Sequence, residues 1–348
     1  VSKKESRFQE PDVDFVGYPV INAPGLHRYL ERTGNTDFEQ SWREAEEEGL
    51  SDAEILCSVF SKLCYKSLTV GQNANITRVR DIKDNLVSCF DTGHGSIFEH
   101  VMFNFIVSPC SRVFTHELVR HRIGVAFSQT SGRYVRLDHI PIIWDPILDG
   151  DIPHGGLGGG TIRDLWDHHL QKTEDLIYLT ECFKGLRKPA PGHEDKAPEY
   201  WIHSRLGQDP EVAAQWKWVP DNSGDFAHKK KLTSAIRRIA PNGQVNEIAY
   251  SVNLRSLRHT ILMRTARVAE REIRIVFNKI YDSLKDKWPL MFHGAKEEIV
   301  DGIPEITGMK CQPYEKPAEM VLEEMSDEEL VLYLKTRPDV IQRVNLAT

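Results

Sequence analysis

The sequence predicts an α+β protein, a mixed β-sheet packed with long helices. Three observations carry this. Apolar residues recur at helical spacing in several windows, as in Ile55, Leu56, Val59, Phe60, Leu63 and Cys64. The dense apolar run VMFNFIV (101–107) reads as a buried strand. A regular pattern over roughly 246–286 reads as one long helix. With 348 residues the chain can bury a sizeable core without disulfides.

The elements follow in order. Residues 1–50 are polar and read as an N-terminal extension. Ser51 and Glu54 form a capping box that opens a helix. A second helix carries Ile82, Leu86, Val87 and Phe90 and stops at Gly93. After the strand, Ser108 as cap and Pro109 in the first turn open SRVFTHELVRHR as a helix. The Gly/Ser-rich IGVAFSQTSG reads as a loop and RYVRL as a strand. A single domain is expected over 51–302, with its core in 55–141 and 226–296. An insertion at 142–225 is rich in Pro and Gly and contains a helix from Thr161 to Lys184. A helix leads into RRIAP before the long one. The tail, 303–348, has a short helix with Ser326 and Glu329 as its capping box.

Bulk properties exclude several classes. The net charge of −7 gives no global attraction to nucleic acid or anionic membrane, so an anionic ligand needs a local cluster of cations. The six cysteines are scattered without a CxxC pair, which fits reduced thiols in a cytoplasmic protein. No run is long enough for a membrane helix, and the first residues do not read as a signal peptide.

Three constellations can carry chemistry. Arg120, His121 and Arg122 lie at a helix end, where the dipole alone favours cations. Ser131, Gly132 and Arg133 follow, supplying a hydroxyl, a backbone open to close approach and a guanidinium. Those are the parts of a phosphate site. Arg264, Arg267, Arg271 and Arg274 recur at helical steps. They form either a solvated charged face or a set in search of anions. HGSIFEH (94–100) places His and Glu beside the buried strand. A metal site is not expected there, because no third ligand has a recognisable spacing. In HELVRH the histidines are five apart and diverge by about 140° on a helix, which excludes a zinc-protease reading. GGLGGG (155–160) reads as a surface loop, since no strand precedes it.

Taken together, FEH, RHR…SGRY and NLRSL…LMR…EIR resemble, in the same order, the motifs of the flavin-dependent thymidylate synthases. The resemblance covers about 55–140 and 235–295, and implies that family's fold with a large insertion and terminal extensions. It implies a methyltransferase that converts dUMP to dTMP. The family uses FAD as cofactor, with methylenetetrahydrofolate and NADPH as co-substrates, and forms homotetramers with shared sites. Carried over, His94, Ser96, Glu99, Arg120, His121, Arg122, Asn253, Arg255 and His259 resemble the flavin contacts. Glu117, Arg120, Gln129, Ser131, Gly132, Arg133, Arg237 and Arg264 resemble the nucleotide ligands, with Arg264, Ser131 and Arg133 as the catalytic set. Arg264 would stand against the pyrimidine.

The sequence also departs from the family pattern. Eight residues, not seven, separate RHR from Ser131, and Glu117 stands where Gln is usual. The bland reading of Glu117 is an ion pair with Arg120 or His121. These departures leave UMP as an alternative substrate, with C5 methylation serving modified-nucleoside synthesis. A non-catalytic nucleotide- or RNA-binding protein is the alternative of another class, and the acidic net charge argues against RNA.

Overall fold

The structure is a computed structural model, described for residues 7–134, 139–152, 159–189, 192, 216–219 and 226–310. The chain divides into two compact units. One comprises residues 21–98, 292–294 and 308–348, the other 1–20, 99–291 and 295–307.

The first unit is helical, with α1 (Ala23–Thr33), α2 (Asp37–Glu47), α3 (Asp52–Cys64) and α4 (Ile82–Asp91). Its ends follow local chemistry. The side chain of Asn22 accepts from Gly25 N, and α1 stops at Gly34, whose φ of +67° suits glycine. Ser51 and Glu54 form the expected capping box of α3. Asp81 caps α4 by accepting from Asp84 N at 2.7 Å. Ile55, Cys57 and Val59 from α3 are buried, as are Ile82, Leu86 and Phe90 from α4. Phe90 stacks on Phe98 with ring centres 4.2 Å apart.

The second unit holds an antiparallel sheet. Its strands are β1 (Val13–Gly17), β2 (Met102–Ser111), β3 (Val125–Gln129) and β4 (Val245–Asn253), in the order β1-β2-β4-β3. Alternation explains β4: Asn246, Ile248, Tyr250 and Val252 are buried while Glu247 and Ala249 are exposed. Register puts Phe15, Phe105, Tyr250 and Phe127 in one row across all four strands. Among the described residues the remaining helices are α5 (Arg112–Leu118), α6 (Ile162–Phe183), α7 (Phe226–Ile236), α8 (Leu254–Thr265) and α9 (Arg271–Lys285). Phe277 of α9 meets Tyr250 edge-on at 6.3 Å. Burying each such side chain contributes about 1.5–3 kcal/mol. A second apolar cluster joins Ile140, Ile142 and Trp144 to Leu170 and Ile177 of α6, so the insertion helix has its own core contacts. A hairpin of β5 (Lys296–Val300) and β6 (Ile303–Thr307) follows α9.

The α+β class agrees with the sequence, and several elements differ. The pattern over 246–286 is not one helix but β4, α8 and α9. Asn253 caps α8, and the side chain of Glu270 caps α9 by accepting from Glu272 N and Ile273 N. The helix expected at Ser108 starts instead after Ser111, whose Oγ accepts from Phe114 N at 3.0 Å, because β2 continues through Ser111. IGVAFSQTSG contains β3, whose residues alternate in exposure. Of RYVRL, Arg133 and Tyr134 lie in a turn and 135–137 fall outside the described residues. Residues 8–47, inside the expected extension, supply β1, α1 and α2. Most of GGLGGG, and the Ser326–Glu329 capping box, also lie outside the described residues. Of the cysteines, Cys57, Cys89, Cys110 and Cys182 are buried and Cys64 is exposed. No helix among the described residues is long and apolar enough to cross a membrane.

Candidate active site

The sheet ends supply most of the expected site residues. The strand β4 passes without a loop into α8, so Asn253, Arg255, His259 and Arg264 follow one another from strand end to helix end. RHR follows the last turn of α5, where Arg120 N donates to Glu117 O (3.3 Å) and His121 N to Leu118 O (3.1 Å).

One cluster joins α5 to α8. Arg264 Nε donates to His121 Nε2 at 2.7 Å, and Arg264 Nη1 donates to Glu117 Oε2 at 3.0 Å. The partner of Glu117 is therefore Arg264, not the neighbouring Arg120 or His121 that its helical spacing suggested. That spacing fails because α5 ends at Leu118. An imidazole nitrogen that accepts from an N–H carries no proton, so neutral His121 holds its hydrogen on Nδ1. Burial lowers the His121 pKa to about 4, with further lowering from Arg264 and His259.

The arginine stripe is broken by the α8–α9 turn. Arg274 is buried and spends its guanidinium on the carbonyls of Thr265, Val300 and Ile303. Arg267 and Arg271 pair with Glu305 (3.4 Å) and Glu10 (3.8 Å). Of the four, Arg264 alone joins an expected site residue, and backbone oxygens satisfy Arg274.

Arg255 Nη1 donates to Glu99 Oε1 at 2.5 Å, so these two expected flavin contacts stand together on the surface. Asn253 is committed to structure. Its Oδ1 accepts from Ser256 N at 2.8 Å, and its N–H donates to Gly124 O at 2.8 Å. His259, Arg120 and Arg122 are exposed, and no carboxylate pairs with them among the described residues. His94 and Ser96 belong to the helical unit, where His94 Nδ1 meets Tyr65 Oη at 3.1 Å.

A second cluster surrounds Gly132. A cavity of ≈ 320 Å³ is lined by Arg112, His116, Thr130, Gly132, Arg237 and Arg238, among others. A side chain at Gly132 would meet Arg112 Nη2 at 3.3 Å and Arg237 Cδ at 3.6 Å, so glycine lets both arginines approach the loop. Among the described residues no carboxylate pairs with these three arginines. The loop is turned by Tyr134 N donating to Ser131 O (3.0 Å). Arg133 N donates to Ser131 Oγ (3.4 Å), and Gln129 Nε2 donates to Thr115 Oγ1 (2.8 Å). Arg237 and Gly132 are thus brought together as expected. Arg112 and Arg238 were not singled out from the sequence, and His116 entered only as one histidine of the excluded zinc-protease pattern. The available signal was an arginine and a histidine one turn apart on α5, eight and four residues before Arg120.

Residues 48–290 match the family described as thymidylate synthase complementing protein. A flavin-dependent thymidylate synthase of Clostridium tetani is 27% identical over 260 residues, 75% of this chain and 88% of that protein. One from Corynebacterium diphtheriae is 24% identical, over 72% of this chain and 82% of its own. Among solved structures, a UMP/dUMP methylase, PolB from Streptomyces cacaoi, aligns with 81% of this chain and 93% of its own. Its TM-score is 0.43 and its identity 14%. The family match spans well over half of the chain and contains both clusters, and the chain belongs to the thymidylate synthase complementing protein family.

Proposed function

We propose that the protein is a methyltransferase acting on C5 of a uracil nucleotide, converting dUMP to dTMP with methylenetetrahydrofolate as carbon donor and NADPH as reductant. One observation carries the reading: Arg112, Arg237 and Arg238 line a single cavity at Gly132, with no carboxylate to neutralise them among the described residues. Such a cavity suits a nucleotide phosphate, and charge-assisted hydrogen bonds from guanidinium are the strong kind.

The chain's part is binding, orientation and electrostatics. Ser131 and Arg133 flank the cavity glycine and bind the phosphate with it. Arg264 has Nε and Nη1 engaged by His121 and Glu117. Its Nη2 faces the pyrimidine, where it stabilises negative charge as C5 becomes nucleophilic. Glu117 and His121 hold that guanidinium in place.

Bound FAD supplies the hydride that completes the methyl group. The exposed Arg120 and Arg122 fit its phosphates, and Arg255, Glu99 and His259 fit its polar edges. Asn253 fits less well, because its Oδ1 is already occupied by the α8 cap. The active form is a cytoplasmic homotetramer. Ile123 and Val268 are 81% and 90% exposed, and a second copy would cover them.

The test is an absorbance spectrum of the purified protein, then product analysis with methylenetetrahydrofolate, NADPH and either dUMP or UMP. A flavin spectrum and 5-methylated product from dUMP support the reading. Preference for UMP moves the enzyme to modified-nucleoside synthesis. A protein that takes up no flavin and forms no methylated product overturns it.

A further inference from the structure

The wall of the Gly132 cavity contains a donor that the protein leaves without an acceptor. Asn246, near the start of β4, lines that cavity together with Arg112, Thr130, Arg237 and Arg238. It is 5% exposed, and its Nδ2 is closed to solvent and has no hydrogen-bond partner among the described residues. Buried polar groups are nearly always paired, and an unpaired donor destabilises the free protein. The same strand shows the ordinary outcome at its far end, where the carboxamide of Asn253 is spent on the α8 cap.

The sheet holds the backbone of Asn246 from both sides. Towards β2 it pairs with Cys110, whose Sγ also donates to Asn246 O at 3.3 Å. Towards β3 the ladder passes through Ile248–Gln129, and Thr130 N donates to Glu247 O at 3.0 Å. One step further along the same register, Asn246 stands opposite Ser131. The register with β2 shifts between Asn246 and Ile248, an irregularity of the kind that re-aims side chains beside binding sites. Glu247, the nearest carboxylate on the strand, points to the opposite face and accepts from Ser108 Oγ at 2.7 Å. No Asp or Glu stands in the cavity wall.

We infer that Asn246 is a specificity-determining ligand residue of this cavity, whose Nδ2 donates to an oxygen of a bound oxyanion. A turn about Cβ–Cγ, a soft torsion in asparagine, brings Nδ2 to the cavity. The chemistry of the wall selects the ligand class. Guanidinium and amide N–H groups only donate, so the bound group must offer acceptors, as a phosphate does. Three arginines alone attract any anion by charge. A neutral, directional donor adds a fixed point where an oxygen must stand, which favours a tetrahedral oxyanion over a monatomic one. The missing acceptor stands on the cavity alone. That the oxyanion is the phosphate of the nucleotide rests on the reading above.

The experiment uses the full-length protein in phosphate-free buffer. Inorganic phosphate and dUMP are titrated by calorimetry into the wild type, Asn246→Leu and Asn246→Asp, and each protein is melted without ligand. Leucine nearly keeps the volume and removes the donor. A residue kept for structure loses stability on that change, whereas removing an unpaired donor does not. Asn246→Leu should lose about tenfold in phosphate affinity, as for one hydrogen bond to a charged group, and melt no lower than the wild type. Asn246→Asp sets a carboxylate beside three arginines, so it should lose more affinity and also melt no lower. If leucine prevents folding, the aspartate variant decides. Phosphate affinity within about twofold of the wild type in the folded variants overturns the inference. Melting temperatures well below the wild type in both variants assign Asn246 to structure and overturn it too, as does a wild type that takes up no phosphate. If phosphate behaves as expected but dUMP binds no more tightly than phosphate, the role of Asn246 stands and the nucleotide reading fails.

Discussion

Glu117 Oε2 lies 3.0 Å from Arg264 Nη1, while the adjacent Nε of the same guanidinium donates to His121. A carboxylate on α5 thereby fixes the rotation of a cation on α8. Glu117→Gln keeps one acceptor and loses the charge. It should lower kcat about tenfold, corresponding to the ~1.4 kcal/mol of a charge-assisted bond made neutral. Glu117→Ala should cost more, and Arg264→Ala most, about 2–5 kcal/mol. Steady-state kinetics at saturating nucleotide check this. Equal rates for Glu117→Ala and wild type would remove the orienting role.

The second prediction concerns the proton on His121. Its folded pKa, about 4, lies below the ordinary 6.5, because burial and Arg264 disfavour the imidazolium. The stability linked to the neutral ring is therefore fully present above about pH 6.5. It is lost as pH falls through about 4. Imidazole resonances of His121 should not titrate between pH 7 and 5. In Arg264→Met the midpoint should rise towards 6.5. A normal midpoint in the wild type would mean that the Arg264–His121 bond does not form.

Asn253 separates a structural role from a ligand role. Its side chain caps α8, and Gly124 packs against it with φ +67°. Asn253→Ala should cost about 1 kcal/mol of stability, as lost caps do. Asn253→Ser should restore most of that. If Asn253 also touches flavin, the serine variant recovers its melting temperature but not its flavin content. Gly124→Ala should be worse than either, because the new Cβ would stand 2.1 Å from Asn253 Nδ2.

Glu272 provides a pH dependence of opposite sign. It is buried and bonded to Ser111, whose N–H donates to Oε1 at 2.7 Å. Burial lifts its pKa to about 7 from the ordinary 4.5, despite the bonds from Ser111, with Glu270 and Glu10 adding to the rise. The folded state keeps a proton that the unfolded chain has released. Its contribution is complete below about pH 4.5 and is lost as pH rises to about 7. Glu272→Gln should remove that slope. Melting curves from pH 5 to 8 should show the wild type losing stability relative to the variant, and parallel curves would refute it.

Much of this was legible in the chain, for local reasons. The Ser51–Glu54 box and the helix after Thr161 depend on neighbours three residues apart, and both formed as expected. What escaped needed distant partners. The alternation of Asn246, Ile248, Tyr250 and Val252 was hidden by arginines spaced as on a helix. Only the pairing of β4 with β2 and β3 decides between the two periods. Glu117 looked local because Arg120 is three residues away, yet its partner is 147 residues distant. Arg112 carries no motif signal in the chain because it precedes the recognisable motif, and His116 is legible only as part of an excluded zinc pattern. Their meaning comes from Arg237, which the fold brings to them.

The pairing of β3 with β4 works as a ruler. Each paired residue advances the chain by roughly 3.4 Å, and a slip of one would turn every side chain to the opposite face. The ladder runs from Val125 to Gln129 and is extended by Thr130 N donating to Glu247 O at 3.0 Å. Ser131 is the next residue, so its distance from the sheet is metered by β4. A residue added between RHR and Val125 therefore leaves the distance of Ser131 from the sheet unchanged. Room for such a residue lies upstream, where Ile123 is exposed and Gly124 has φ +67°. Under the proposed reading, discrimination between a deoxyribose and a ribose nucleotide would rest on which side chains stand at the cavity, not on how much chain spans it.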